Sequence, residues 1–273
     1  MFQSFKKNPI FHLASMARSG ETVILRSLAA HSKIKIVHNL NSTDAQDTKK
    51  LFEFLKTNPP NSIKQNNAYT KSYNLKKDDV LLLKQGVWEH KYDFDGFILS
   101  RNPVSIFASL KVYDKDELGD DWKNNWYLRN TERLTRWLKD IDKTLLPDFE
   151  KLSPIDQFSL FYNRRMGALL KTGKPIVYYE NFVQHPEKEL RFIISEMGLH
   201  FEETVLNSHE NFKNGEKGHG KIDLSKPIQA NSLSKYQKII TKQEFDEVHV
   251  KTKAVSKNFG YSTNWNAINI IGD

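Results

Sequence analysis

The sequence predicts an α/β fold: a three-layer domain with a central, mainly parallel β-sheet flanked by helices, of the P-loop NTPase-like kind. Three observations predict it. Short β-rich runs alternate with longer helical patterns, as βαβ units do. Two of the runs, "VLLLK" and "GFILS", are continuously apolar, which suits strands covered on both faces at the sheet centre. The first run, "IFHLAS", leads into the small-residue turn "SMARSGET" from Ser15 to Thr22, and a helical pattern follows. Strand, small-residue turn and helix is the order in which a phosphate cradle is built.

Each element follows from its residues. After "IFHLAS", the spacing of Val23, Leu25, Leu28 and Ala29 predicts a helix from Glu21 to His31. A strand "KIKIV", a helix from Asp44 to Leu55, the strands "DDVLLLK" and "GFILS", and a helix from Val104 to Val112 come next. From Asp121 to Thr172 the pattern is helical. Ser153 caps its second part, Pro154 fits the first turn, and Gly173 and Pro175 stop it. The strand "PIVYY" precedes a helix that Pro186 opens and Gly198 ends. The stretch from Asn207 to Ser234 reads as loop, and a closing helix runs from Gln243 to Lys257. No composition shift marks a boundary, so the 273 residues are expected to form a single domain, 1–273. The aromatic residues Trp122, Trp126, Trp137, Phe158, Phe161 and Tyr162 are read as core.

Composition narrows the chemistry. Hydrophobic residues at 38% and aromatic ones at 12% suit a folded domain rather than a disordered chain. No run of about 18 apolar residues occurs, and no ordinary signal peptide is visible, so a cytoplasmic protein without a membrane span is expected. The absence of cysteine excludes disulfides, thiolate metal sites and cysteine nucleophiles. Histidines show no metal-ligand spacing, so no metal is expected. The excess of 41 basic over 33 acidic residues, a net +8, favours anionic partners, though it serves solubility equally well.

Two constellations carry the functional signal. In "SMARSGET", Ser19 and Gly20 let backbone amides converge on an anion at a helix N-terminus, Arg18 adds positive charge, and Thr22 offers hydroxyl and amide. An ordinary turn with Ser19 as helix cap is the plainer reading. Glu21 stands where a Walker loop has its lysine, which argues against a conventional ATP or GTP site. In "FILSRNPVSIFASL", Arg101 follows a buried strand directly, Pro103 fits the first turn of a helix, and Ser109 lies eight residues beyond the arginine. Open α/β sheets bind ligands at that strand edge.

The two segments, in this order and spacing, resemble the sulfotransferases that use 3′-phosphoadenosine 5′-phosphosulfate (PAPS). "ARSGET" is similar to their 5′-phosphosulfate loop, and "RNPVSIFASL" to their 3′-phosphate motif at Arg101, Asn102, Pro103 and Ser109. "VYYENFVQHPEKELRFIISEMGL" resembles a further strand and helix of the family, and "GEKGHGKID" its late glycine-rich loop, so the likeness spans nearly the whole chain. The resemblance implies a donor site in which Arg18, Ser19, Gly20, Glu21 and Thr22 form the 5′ loop. Arg101 and Ser109 would then hold the 3′-phosphate, and Lys217, Gly218, His219, Gly220 and Lys221 would close over the nucleotide. PAPS would be the donor and 3′-phosphoadenosine 5′-phosphate (PAP) the product, with no metal. Two departures stand out: Glu21 replaces the family's threonine, and Val23 a tryptophan that often meets adenine.

The resemblance also implies an in-line displacement, in which the acceptor loses a proton while charge grows on the departing phosphate. Positioning and charge stabilisation supply most of such catalysis. Arg18 and the loop amides are expected to take the leaving-group charge, and Lys84, ending "VLLLK", resembles a lysine that faces the transferred group. For the base, His38 lies just past the second strand and titrates near neutral pH; Glu89 and His90 in "WEHK" are the alternatives. The partner is then an acceptor with a hydroxyl or amine, a glycan or a small molecule, rather than a nucleic acid. Two other readings compete: a P-loop kinase, and a protein that binds nucleic acid or anionic glycan through a degenerate nucleotide pocket.

Overall fold

A computed structural model of the chain describes residues 10–37, 54, 57–58, 60–66, 71, 74–85, 95–118, 149, 151–218 and 222–270. Five parallel strands form one sheet: β1 (Ile10–Ser15), β2 (Ile34–Ile36), β3 (Val80–Gln85), β4 (Asp95–Ser100) and β5 (Ile176–Tyr178), in the order β2-β3-β1-β4-β5. The chain first moves to one side of β1, through β2 and β3, and then crosses to the other, through β4 and β5. The C-terminal end of β1 is therefore the switch point where a doubly wound sheet opens a crevice for ligand.

Helices cover both faces, so the strands are apolar nearly throughout. On one face Phe11, Leu13, Val80 and Leu82 pack against α1 (Glu21–Ala29), α4 (Tyr179–Gln184) and α5 (Pro186–Glu196), through Ile24, Leu28, Phe182 and Leu190. On the other, Ala14 and Ile98 share a core with α2 (Pro103–Leu118), α3 (Pro154–Leu170) and α6 (Lys242–Asn258). Phe158, Phe161 and Tyr162 are buried there, as core residues. Leu81 and Leu83 join Ile10, Val37 and Ile63 in a smaller cluster. Local signals fix the helix starts. Ser153 accepts the amide of Asp156 ahead of Pro154, and Thr241 forms a capping box with Glu244.

Gly96 lets β4 approach β1 closely, since a Cβ there would lie 2.3 Å from the His12 carbonyl oxygen. His12 itself is buried inside the sheet. Burial, with Lys174 and Arg165 adding, pushes its pKa down to about 3, so it is a neutral core residue.

Three elements differ from the sequence expectation. α2 runs to Leu118, beyond Val112, because the mostly charged "DKDEL" carries the helix on without an apolar periodicity to mark it. "YENFVQ" is a short helix, α4, so Tyr179 leaves the strand and begins a helix. After α6, Tyr261–Asn264 and Ala267–Ile270 pair as an antiparallel hairpin, β6 and β7, which no apolar run in the sequence announces. The expected helix 44–55 and the residues Trp122, Trp126 and Trp137 lie outside the described residues.

Candidate functional site

β1 ends at Ser15, and the chain reaches α1 through a tight loop, Met16 to Gly20. Arg18 (φ 71°) and Gly20 (φ 102°) are both left-handed. At Gly20 the conformation is matched by a close approach: a Cβ would lie 2.2 Å from Cδ2 of Tyr179. At Arg18, a non-glycine, it is held by tertiary contact, because the Arg18 carbonyl accepts a 2.9 Å hydrogen bond from Nη1 of Arg101. Gly20, not Ser19, occupies the cap position of α1, and no side chain caps that end. The first amides of α1 are thus left for an anion. The hydroxyl of Ser19 is buried and has no hydrogen-bond partner among the described residues.

Glu21 does not face solvent. Its carboxylate is buried and accepts a 2.9 Å hydrogen bond from the hydroxyl of Ser15, which turns it back toward the end of β1. Thr22 is buried beside it on the first turn of α1. Lys84, half-buried, pairs in register with Leu13 near the same sheet edge and shares the α1-covered face of Val80 and Leu82.

The second motif meets the first directly. Arg101 follows β4, and its guanidinium stacks on the ring of Tyr179 at 4.4 Å while Nη1 holds the Arg18 carbonyl. Its Nε is buried without a hydrogen-bond partner among the described residues. In the opposite direction, Nε of Arg18 donates to the hydroxyl of Ser109 on α2 at 3.1 Å. The two motifs are separated by about eighty residues of chain and joined by a reciprocal pair of bonds.

Below this brace lies a buried network that the sequence did not reveal. Glu180 accepts from the Asn102 amide and from the Tyr261 hydroxyl, each at 2.9 Å, and Asn102 donates to the hydroxyl of Thr263 at 2.6 Å while capping the Val104 amide at 3.0 Å. Burial raises the pKa of Glu180 above the usual carboxylate value, against the pull of the Asn102 amide and Arg101. Burial likewise raises the Tyr261 hydroxyl. Tyr179 and Glu180 sit in a quoted family segment, "VYYENF", but nothing in a single sequence shows that they touch Gly20, Arg101 and Asn102.

The late glycine-rich segment is a hairpin. Lys217 bridges Asp223, Gly218 donates to the carbonyl of Ile222 at 2.7 Å, and Leu224 to that of Glu216 at 2.8 Å. Arg26, buried on α1, fastens it: Nη1 donates to the carbonyls of Leu224 at 2.9 Å and Lys226 at 2.7 Å. His219, Gly220 and Lys221, and the candidate bases His38, Glu89 and His90, lie outside the described residues. Among the described residues no three His, Asp or Glu side chains gather as metal ligands, and no helix is long and apolar enough to cross a membrane.

The chain superposes on the sulfotransferase domain of the olefin synthase from Synechococcus PCC 7002 with a TM-score of 0.55 and 16% identity, over 97% of this chain and 100% of that one. The chain has the sulfotransferase fold. The sulfotransferase domain of the curacin biosynthetic pathway agrees, with a TM-score of 0.52 and 15% identity over 90% of this chain and 97% of that one. No protein-family model matches the sequence, and no curated protein matches it. In the sulfotransferase fold of this chain, the loop from Met16 to Gly20 and the start of α2 both stand at the switch point of the sheet.

Proposed function

We propose that this chain is a sulfotransferase that moves a sulfuryl group from PAPS to an acceptor hydroxyl or amine. The observation that carries the reading is the reciprocal brace of Arg18, Arg101 and Ser109 beside the uncapped N-terminus of α1, at the ligand-binding edge of the sheet. The residues fit a nucleotide with phosphates at both ends. The amides of α1, the unpartnered hydroxyl of Ser19 and Thr22 suit a 5′-phosphate, while the open Nε of Arg101 and the Ser109 hydroxyl suit a 3′-phosphate. When bound, the nucleotide supplies the sulfuryl group and a phosphate leaving group.

The remaining work falls to the chain. The helix N-terminus and the loop amides offer fixed dipoles where negative charge grows, and such preorganised donors stabilise a transition state without reorganising. Lys84, at the edge of β3 on the α1 side, is assigned the transferred group. His38 is assigned the acceptor proton on sequence grounds, with His90 and Glu89 as alternatives. Lys217, Gly218, His219, Gly220 and Lys221 are assigned the closing hairpin over the nucleotide. The proposed reaction uses no metal, and the cytoplasm is the compartment proposed for it.

Thermal unfolding with PAP tests the reading. A ligand at a hundred times its Kd stabilises the folded state by about 2.7 kcal/mol. PAP is expected to raise the midpoint while ATP with Mg²⁺ does not, and Arg101→Ala is expected to remove the effect. Salt-sensitive heparin or DNA binding with no response to PAP would instead favour a binding protein. His38→Ala is expected to keep the PAP response and lose turnover; an active variant passes the role to His90 or Glu89.

A further inference from the structure

Arg18 belongs by sequence to the 5′ loop, yet its side chain lies elsewhere. Its Nε donates to Ser109, a residue of the opposite motif, and its guanidinium stands 5.2 Å from the ring centre of Tyr113, one helical turn further along α2. The backbone makes this reach feasible: the left-handed φ of 71° at Arg18 belongs to a tight turn, and Arg101 holds that turn by its carbonyl. The Arg18 side chain therefore reaches the middle of α2, while Arg101, two residues before that helix begins, holds the Arg18 carbonyl.

We propose that Arg18, on the sulfotransferase reading, recognises the 3′-phosphate: with Arg101 and Ser109 it forms a two-arginine clamp that distinguishes nucleotides carrying that group from those lacking it. The donor inventory supports this assignment. Arg101 commits Nη1 to the Arg18 carbonyl and its ring face to Tyr179, which leaves fewer of its five N–H donors for an anion. Ser109, which accepts from Arg18, keeps its own O–H proton to donate, and the charged donor strengthens that proton's bond to an acceptor. A phosphate monoester carries close to two negative charges at neutral pH and offers three acceptor oxygens, a demand that two guanidinium groups and a hydroxyl meet together. The 5′ end is then served by the α1 amides, Ser19 and Thr22, with Lys84 on the α1 side of β3.

Titration calorimetry of the full chain with PAP and with adenosine 5′-monophosphate tests the proposal. The two ligands share the 5′-phosphate and differ at the 3′ position. Wild type is expected to prefer PAP, and Arg18→Gln to lose about tenfold or more in PAP affinity, the scale of a hydrogen bond to a charged group, while its affinity for the monophosphate moves by less than about threefold. Ser109→Ala, which leaves the loop sequence intact, is expected to reduce PAP affinity in the same selective way. Equal weakening of both ligands in Arg18→Gln, or an unchanged preference for PAP, would place Arg18 at the 5′ end and overturn the proposal. Unliganded unfolding midpoints for each variant separate loss of binding from loss of fold, and if Arg18→Gln unfolds, the same ratio is read on Arg18→Lys, which keeps the charge but lacks the Nε donor to Ser109. A wild type that binds neither nucleotide overturns the sulfotransferase reading and the clamp with it. A wild type that binds PAP with an indifferent Arg18 overturns the clamp alone.

Discussion

The loop from Met16 to Gly20 and the hairpin around Gly218 both carry glycine where a nucleotide site is proposed, but they are held in opposite ways. In the loop, glycine answers a backbone demand. Its φ is 102°, and the ring of Tyr179 fills the space a Cβ would need. In the hairpin, Gly218 is not left-handed, and its nearest neighbour is the flexible end of Leu224, 2.8 Å from a built Cβ. The loop is fixed by neighbours pressing from across the sheet, whereas the hairpin is fastened by Arg26, one arginine at its base. Rigidity in the first is distributed over Tyr179, Arg101 and Ser109; in the second it depends on far fewer contacts.

Substitutions at these points break or sharpen the contrast. Gly20→Ala is expected to have the largest effect, since left-handed strain and overpacking against an aromatic ring each cost about 1 to 3 kcal/mol. A drop of about 3 kcal/mol in denaturant unfolding, with loss of PAP response, is the expected result. Arg26→Met comes next. It leaves the Leu224 and Lys226 carbonyls without their donor, partly offset by removing a guanidinium whose pKa burial already lowers. A loss of about 2 kcal/mol and faster hydrogen exchange at the Gly218 amide are expected. Unchanged exchange would show that Leu224 packing, rather than Arg26, holds the hairpin.

Gly218→Ala is smaller, about 1 kcal/mol, because a leucine terminus can yield where a tyrosine ring wedged beside Arg101 cannot. If it matches Gly20→Ala in unfolding experiments, the contrast between loop and hairpin collapses. Glu21→Gln is the mildest. The amide can still accept from Ser15, so stability is expected to shift by less than about 1 kcal/mol, the scale of one charge at a helix N-terminus. Removing a carboxylate near the proposed anion site is expected to tighten PAP binding about fivefold, read by calorimetry.

Much of this architecture was legible because it is local. Apolar runs gave β1, β3 and β4 within a residue or two, since strands covered on both faces must be apolar. Ser153 and Pro154 marked the start of α3, because capping chemistry lies in adjacent residues. The helix α4 was hidden, since "YENFVQ" is too short to show a helical period after an apolar strand. Within the site, Arg18, Ser19, Gly20, Arg101 and Ser109 were legible as motifs, while Tyr179, Glu180, Tyr261 and Arg26 were not. Their partners lie on other elements, and a single sequence does not encode such pairings at any fixed spacing.

By itself the sequence determined the strands of the central sheet, the starts of the longer helices α3 and α5, the position of a small-residue turn after β1, and the absence of a Walker lysine from that turn. It determined these because burial, capping and loop chemistry act over a few residues. Only the tertiary structure decided where the charged groups point. It turned Glu21 back onto Ser15, left Ser19 without a partner, and carried the Arg18 side chain across to Ser109. Those directions depend on which strands lie side by side at the switch point, a choice made by the packing of the whole sheet.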